Sequence, residues 1–151
     1  WDNNDLESIW STTSNFITVG PPQNPSALLT EGRTNPVTIV AGYPNFSAFY
    51  ADPNGDSATY YEIEINSSPT FTGTVMWDTG KTATSITSNT RSPDYIYDGV
   101  PLTNTNNIYY WRIRFWDSDD TVSDWSSTAQ FTDKFTHLII DGLQLRGVKI
   151  N

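Results

Sequence analysis

The 151-residue sequence contains no cysteine, which excludes disulfide bonds, thiolate nucleophiles and thiolate metal ligands. It has a single histidine, His137, and no Gly-x-Ser-x-Gly motif. A Ser-His-Asp arrangement would have to be assembled from distant parts of the chain. The acidic residues lie in turn-like segments or opposite arginines, with no insertion that would form a pocket around a carboxylate pair. The sequence therefore does not predict an enzyme.

Cationic residues are also scarce, with 8 Lys and Arg against 17 Asp and Glu, for a net charge of −9. Binding to a nucleic-acid backbone needs clustered cations that release counterions, so nucleic acid is not an expected partner. No apolar run reaches the length of about 18 residues that a membrane span needs. No signal peptide is visible, and we interpret Trp1 as a processed end or the start of a fragment. A large cysteine-free domain is compatible with a bacterial or viral surface protein, so we expect an extracellular, cell-surface or virion-surface location.

Helical periodicity is missing throughout, and Ala, Leu, Lys and Glu are sparse, which favours an all-β chain. The clearest strand pattern is in residues 107–117, where apolar side chains alternate with side chains that carry charge or amphipathic rings. The apolar set is Tyr109, Trp111, Ile113 and Phe115, and the other set is Tyr110, Arg112, Arg114 and Trp116. This pattern predicts a central strand with one buried face.

Residues 58–65 repeat the alternation, with Tyr61, Ile63 and Ile65 on one side. If the two strands lie side by side, Glu62 and Glu64 face the two arginines of the central strand. Opposite charges across a ladder contribute roughly 0.2–1 kcal/mol per pair. We therefore expect these charges to fix the register of the strands and to take no part in catalysis.

The order of these segments resembles a fibronectin type III domain. It is most similar to the sandwich modules of bacterial secreted proteins, including those at the front of alpha-rhamnosidase-type glycoside hydrolases. The resemblance covers about residues 24–132, and the segments that carry it are 44–50 (PNFSAFY), 52–56 (DPNGD), 60–63 (YYEI), 77–81 (WDTGK), 95–102, 109–117 (YYWRIRFWD) and 124–126 (DWS). It implies an all-β, immunoglobulin-like Greek-key sandwich and leaves the function open, because such modules host many roles.

The segment 124–126 resembles half of the Trp-Ser-x-Trp-Ser element of fibronectin-like receptor domains, in which a Trp stacks between arginines. We therefore expect Trp125 to stack between Arg112 and Arg114, each contact contributing about 0.5–1 kcal/mol when exposed. The alternative is an aromatic platform that binds sugar rings, formed by Tyr60, Tyr110, Trp116 and Trp125.

Three parts are predicted along the chain: an extended strand segment at 1–20, a sandwich at 21–133 and a β-hairpin at 134–151. The Gly20-Pro21-Pro22 sequence marks the first boundary because two prolines cannot donate to a ladder. Strands are expected at 26–30 with 37–40 as one interrupted edge strand, and at 45–51, 58–66, 73–78, 95–97, 107–117 and 127–132. Asp141-Gly142 between two apolar runs is a hairpin signal.

The two ends carry apolar strand segments outside the sandwich. They can extend their own sheet, begin neighbouring domains, or pair with another subunit by strand addition. A heterologous exchange of this kind grows into a polymer. The side chains expected to mediate such assembly are Ile9, Trp10, Phe16, Ile17, Leu138, Ile140, Leu143, Leu145, Val148 and Ile150.

Two acidic loops are expected at the same end of the sandwich. Their alternating oxygen side chains suggest a calcium site formed by Asp52, Asn54, Asp56, Asp117 and Asp119. The same residue types also form ordinary turns that cap strand ends.

The function favoured by the sequence is a non-catalytic structural module of an extracellular or surface assembly, such as a filament, appendage or tail. Its partners would be further copies of itself or neighbouring domains of a longer chain. The alternatives are an accessory domain of a secreted glycoside hydrolase and a carbohydrate-binding module with glycans as partners.

Overall fold

A computed structural model of the chain describes residues 12, 20–39, 42–102 and 106–134, and the backbone of residues 139–140 and 143–144. Strands are the regular elements of this part. They are β1 (Ser26–Thr30), β2 (Asn45–Tyr50), β3 (Ala58–Asn66), β4 (Val75–Asp78), β5 (Thr82–Ile86), β6 (Thr90–Arg91), β7 (Tyr95–Ile96), β8 (Asn107–Trp116), β9 (Ala129–Asp133), β10 (Ile139–Ile140) and β11 (Leu143–Gln144).

Two antiparallel sheets form the sandwich. In the first, β2 pairs with β1 on one side and with β6 and β7 on the other. The second has the order β4-β3-β8-β9, and β5 also pairs with β3. Strands β10 and β11 pair with each other as a separate antiparallel ribbon. The all-β, immunoglobulin-like sandwich expected from the sequence is confirmed.

The core between the sheets is built by the alternation in β8. Trp111, Ile113 and Phe115 are fully buried, whereas the residues between them are half-buried on the outer face. Phe46 of β2 meets Trp111 with ring centroids 4.9 Å apart. Such an aromatic pair adds about 0.5–1.5 kcal/mol to what area burial provides. The central strand is thus where the sequence pattern predicted it.

Residues 37–40 are a correction to the predicted strands, since they do not extend β1. The chain turns away from β1 at Glu31 and Gly32, which have φ angles of 50° and 69°. Ile39 then forms a parallel bridge with Asp133 of β9 and donates its N–H to the Thr132 carbonyl at 2.9 Å. This segment therefore covers the free edge of β9 in the second sheet, and Val40 lies outside the described residues.

The turn after β7 ties the first sheet to β4. The Tyr97 hydroxyl donates to the carbonyls of Met76 at 3.1 Å and Val100 at 2.5 Å, and Val100 N–H donates to Met76 at 2.8 Å. Gly99 allows this approach, because a Cβ there would meet the Met76 oxygen and lie 2.7 Å from Trp77 Cβ. The strands β5 and β6, which precede this turn, were not predicted from the sequence.

Candidate functional site on the outer face of the second sheet

The outer face of β3 and β8 carries two ion pairs. Glu62 lies opposite Arg114 and Glu64 lies opposite Arg112 in the ladder, as the alternation predicts. Arg112 donates from Nε and Nη2 to Glu64 Oε2 at 3.1 and 2.6 Å, and Arg114 Nε donates to Glu62 Oε2 at 2.8 Å. Each glutamate holds the guanidinium of the opposite arginine over the outer face of the sheet, so the planes of the two guanidinium groups are fixed by these ion pairs.

Trp125 lies between these two arginines. Its ring centroid is 4.4 Å from Cζ of Arg112 and 4.4 Å from Cζ of Arg114. Trp125 is held there because Ser126 is anchored on β8, where its N–H donates to the Ile113 carbonyl and its hydroxyl accepts from Ile113 N–H. The structure therefore has the stack that the sequence predicted, with Trp125 between Arg112 and Arg114.

The stack continues in both directions. Arg112 also lies 4.0 Å from the Phe71 ring, Arg114 lies 4.9 Å from the Trp116 ring, and Lys81 Nζ lies 5.2 Å from Trp116. The same Lys81 Nζ lies 4.6 Å from the Tyr60 ring. The complete series, which we call the cation–aromatic ladder, is Phe71, Arg112, Trp125, Arg114, Trp116, Lys81 and Tyr60.

Two members of the ladder, Phe71 and Lys81, were missed by sequence reasoning. Phe71 sits in the turn between β3 and β4 with a φ of 57°, a conformation that costs an L residue roughly 1–2 kcal/mol. Lys81, which also pairs with Asp120, follows the turn glycine Gly80. Lys81 could have been noticed as a candidate contact because it is the one lysine before Lys134 in the sequence. No pattern in the sequence distinguished Phe71.

The ladder bears on the predicted sugar platform. Trp116 and Trp125 each have two cations against their rings, and Tyr60 has one. Tyr110 is on the same face six positions from Trp116, which separates them by about 20 Å along the strand. A sugar ring stacking on either tryptophan would have to displace a cation, so the four aromatics do not form one open platform.

The first acidic loop follows β2. Asp52 is 5% exposed, and its Oδ1 accepts the backbone N–H groups of Asn54 at 2.7 Å and Asp56 at 3.1 Å. Its second oxygen has no partner among the described residues. Asn54 Oδ1 in turn accepts the N–H of Gly20 at 3.1 Å. These are the bonds of a side chain that closes a turn.

The second acidic loop follows β8 and repeats this arrangement. Asp117 is fully buried, and its Oδ1 accepts the backbone N–H groups of Asp119 at 3.0 Å and Thr121 at 2.8 Å. Its Oδ2 accepts the Thr121 hydroxyl. Both carboxylate oxygens of Asp117 therefore accept hydrogen bonds from the loop itself.

The two loops meet at one end of the sandwich, which we call the acidic end. Burial raises the pKa of Asp56, and the negative charges of Asp119, Asp52 and Asp117 raise it further. Burial is the larger cause of this raised pKa, and repulsion between the carboxylates adds to it. Among the described residues, no group of three or more His, Cys, Asp or Glu is placed to hold a metal ion. The calcium site therefore stays a prediction, and what the structure describes is that the first residue of each loop caps a turn.

The remaining sequence expectations fall mostly on other parts of the chain. His137 and eight of the ten assembly residues lie outside the described residues. For the other two, the backbone pairs Ile140 with Leu143 in the β10–β11 ribbon. The part of the chain that the structure describes also contains no helix with the length and apolar character needed to cross a membrane.

The sequence is similar to parts of two much longer enzymes. The chain is 31% identical over 103 residues to an α-L-rhamnosidase of Alteromonas sp. (strain LOR), covering 66% of this chain and 10% of that protein. It is 29% identical over 126 residues to an α-L-rhamnosidase of Formosa agariphila, covering 77% of this chain and 13% of that one. The chain thus spans about a tenth of the length of these relatives.

A solved α-L-rhamnosidase structure from Dictyoglumus thermophilum has the same fold. It superposes with a TM-score of 0.64 at 27% identity, covering 76% of this chain and 13% of that chain. The family model for the Rha78A-like, N-terminal immunoglobulin domain matches residues 25–133, which are the strands of the sandwich and the face that carries the ladder. The chain belongs to the family of Rha78A-like N-terminal immunoglobulin domains.

Proposed function

We propose that this domain is a non-catalytic accessory module of a secreted glycoside hydrolase of the α-L-rhamnosidase type. The observation that carries the proposal is coverage: a family named as an N-terminal domain matches residues 25–133, and the aligned region makes up only 10% and 13% of the two related enzymes. The partner would be the remainder of the same polypeptide, where the chemistry of hydrolysis resides.

The side chains of the outer face support a non-catalytic role. Hydrolysis of a glycoside uses two carboxyl groups that are free to exchange protons or attack the sugar. Here Glu62 and Glu64 are committed to Arg114 and Arg112, and Asp52 and Asp117 accept backbone N–H groups. A catalytic role would require breaking the contacts that hold these strands and loops.

The test is a pair of hydrolysis assays on a chromogenic aryl α-L-rhamnoside. We expect the isolated 151-residue chain to show no activity above buffer. We expect the parent polypeptide to hydrolyse the substrate and to lose thermal stability when residues 25–133 are deleted. Measurable hydrolysis by the isolated chain would contradict the non-catalytic part of the proposal. A parent reading frame without a hydrolase domain would contradict the accessory part.

Assembly into a filament or tail is the other function that the sequence suggested. The related proteins are named as enzymes, which favours the accessory role. Light scattering on a sizing column distinguishes the two functions, since an accessory domain elutes at the mass of one chain and an assembly subunit elutes as polymers. Polymers of the intact chain would return assembly to first place.

A further inference from the structure

Three parts of the chain meet at the end of β9. On one side of β9, the main-chain carbonyl of Asp133 accepts the Asn106 N–H, just before β8, at 2.6 Å. On the other side, Ile39 forms a parallel bridge with Asp133. In this bridge Ile39 donates its N–H to the Thr132 carbonyl at 2.9 Å, and Lys134 donates its N–H to the Ile39 carbonyl at 3.0 Å. Asp133 therefore lies between the start of β8 and the segment that covers the edge of β9.

That covering segment is residues 36–39, which we call the edge segment. Its buried side chains are Pro36 and Ile39, whereas Val37 is 74% exposed. Besides the two bonds of the bridge, the Pro36 carbonyl accepts the Thr132 N–H at 3.0 Å. On its other side, β9 pairs with β8 along its whole length of five residues. Segments with few buried contacts open at a lower free-energy cost than the core strands, so the edge segment is the part of this junction that opens first.

The carboxyl group of Asp133 is enclosed by the junction. The residue is 0% exposed, and neither carboxyl oxygen has a hydrogen-bond partner among the described residues. A buried carboxylate without donors has lost its water and gained nothing in return, so it stays neutral or the structure around it opens to water. Burial accordingly raises the pKa of Asp133 to about 6. The closed junction therefore accommodates the neutral acid and disfavours the carboxylate.

No nearby charge accounts for this behaviour. The charged or titratable side chains of the surrounding described elements are Tyr109 on β8, Tyr97 after β7, Glu31 and Arg33 before the edge segment, and Lys134 after β9. None of them is a cause of the raised pKa of Asp133, which is due to burial. The one histidine of the chain, His137, follows in sequence and lies outside the described residues, so the experiment below distinguishes it from Asp133.

We propose that Asp133 is a pH-dependent switch: the edge segment is closed on β9 while Asp133 is neutral, and it opens and uncovers the edge of β9 when Asp133 ionises. Because the pKa is higher in the folded state than its ordinary value of 3.8, the stabilisation of the closed junction is complete below 3.8 and is lost as the pH rises through about 6. The inference does not depend on the enzyme context proposed above.

The experiment is amide hydrogen exchange of the intact chain, followed by NMR at about pH 4.5 and about pH 7.5. Each rate is divided by the intrinsic exchange rate of that amide at the same pH. The reporting amides are those of Ile39, Thr132 and Lys134, which form the bonds between the edge segment and β9. If Asp133 regains its ordinary pKa when the segment opens, their opening should increase roughly 25-fold between the two pH values. The amides of Ser67 and Thr79, bonded within the β3–β4 hairpin, are the controls and should not change.

A pair of variants assigns the effect to one side chain. Asp133→Asn keeps the size of the side chain and cannot ionise, so opening of the edge segment should be equal at the two pH values. Asp98→Asn removes an exposed carboxyl and should keep the full pH response. A further measurement needs no substitution: the carboxyl carbon of Asp133, observed by NMR in the unsubstituted chain, should titrate near pH 6.

Three results would overturn the inference. Titration of the Asp133 carboxyl near 3.8 would mean that the folded state already accommodates the carboxylate. No change at the three reporting amides, or an equal change at the control amides, would mean that ionisation does not act on the edge segment. A pH response that persists in Asp133→Asn would assign it to another group, such as His137. A failure of the accessory role would appear in the hydrolysis assays and would leave these measurements unaffected.

Discussion

The strongest test of the cation–aromatic ladder is the removal of its central ring by Trp125→Ala. Trp125 contacts two guanidinium groups, and each such contact contributes about 0.5–1 kcal/mol when exposed and about 2 kcal/mol when desolvated. The side chains of Arg112 and Arg114 are 27% and 30% exposed, which places the contacts between these limits. We therefore expect the free energy of unfolding to fall by about 2 kcal/mol.

The assay is urea unfolding followed by far-UV circular dichroism, because fluorescence would change with the loss of a tryptophan. With a urea m-value of about 2 kcal/mol/M, the midpoint should fall by about 1 M. The slope itself should not change, because the ladder lies on the outer face and its loss leaves the core intact. Tyr110→Ala is the matched control, an aromatic on the same face of β8 that belongs to no rung of the ladder.

A double-mutant cycle separates the stacking from the general cost of losing a ring. The cycle of Trp125→Ala with Arg114→Met should give a coupling of about 0.5–1 kcal/mol. The cycle of Tyr110→Ala with Arg114→Met should give none, since the two positions are four residues apart along the strand. A coupling at Trp125 no larger than the usual additivity error of about 0.3 kcal/mol would refute the reasoning that the ring and the arginine stabilise each other.

Three further outcomes are expected. Gly99→Ala should lower the free energy of unfolding by about 1–3 kcal/mol in the same urea assay, because the added Cβ would lie 2.8 Å from the Tyr97 hydroxyl. Gly20→Ala is the control and should be neutral, because a Cβ at Gly20 would make only an ordinary contact of 3.7 Å. The pKa of Asp56 is higher in the folded state than its ordinary value of 3.8, so protonated Asp56 stabilises the fold at low pH and this stabilisation is lost as the pH rises from 3.8 through the folded-state pKa. A plot of melting temperature against pH should therefore fall over this range. Asp56→Asn should flatten the fall, and the control Asp94→Asn should not. Adding a chelator should leave the melting temperature unchanged if the loops only cap turns, whereas a drop of several degrees would support the calcium site.

The strands with strict alternation were predictable because burial on one face leaves a period of two in the sequence. β3 and β8 are long enough to show it, and their opposed Glu and Arg residues predicted the register as well. β6 has only two residues, and β5 has a single large apolar side chain, Ile86 at its end, so neither produced a pattern. The segment at residues 37–39 does look like a strand, but its partner is chosen by the turn at Gly32, which no periodicity records.

The centre of the ladder was predictable for a similar reason. Arg112 and Arg114 stand on one face of a recognisable strand, and Trp125 follows in the next segment. Phe71 and Lys81 reach the ladder from turns, where position depends on backbone conformation rather than on periodic burial. The two acidic loops are ambiguous in sequence, because Asp and Asn at alternate positions suit both a cation and a turn. In the structure, Asp52 and Asp117 make the hydrogen bonds of turn caps.

The segments that lie along the edges of the second sheet limit how this domain can be joined to others. Residues 36–39 occupy the edge of β9, and the turn at Gly99 and Val100 is bonded to Met76 of β4, so the β9 edge is covered and the β4 edge is partly covered. Polypeptide joined before Gly20 leaves at the acidic end, and polypeptide joined after Lys134 leaves at the other. With a central strand of ten residues, the two exits are about 30 Å apart. A domain attached before Gly20 and a domain attached after Lys134 would therefore be joined at opposite ends of the sandwich, with the length of β8 between the two attachment points.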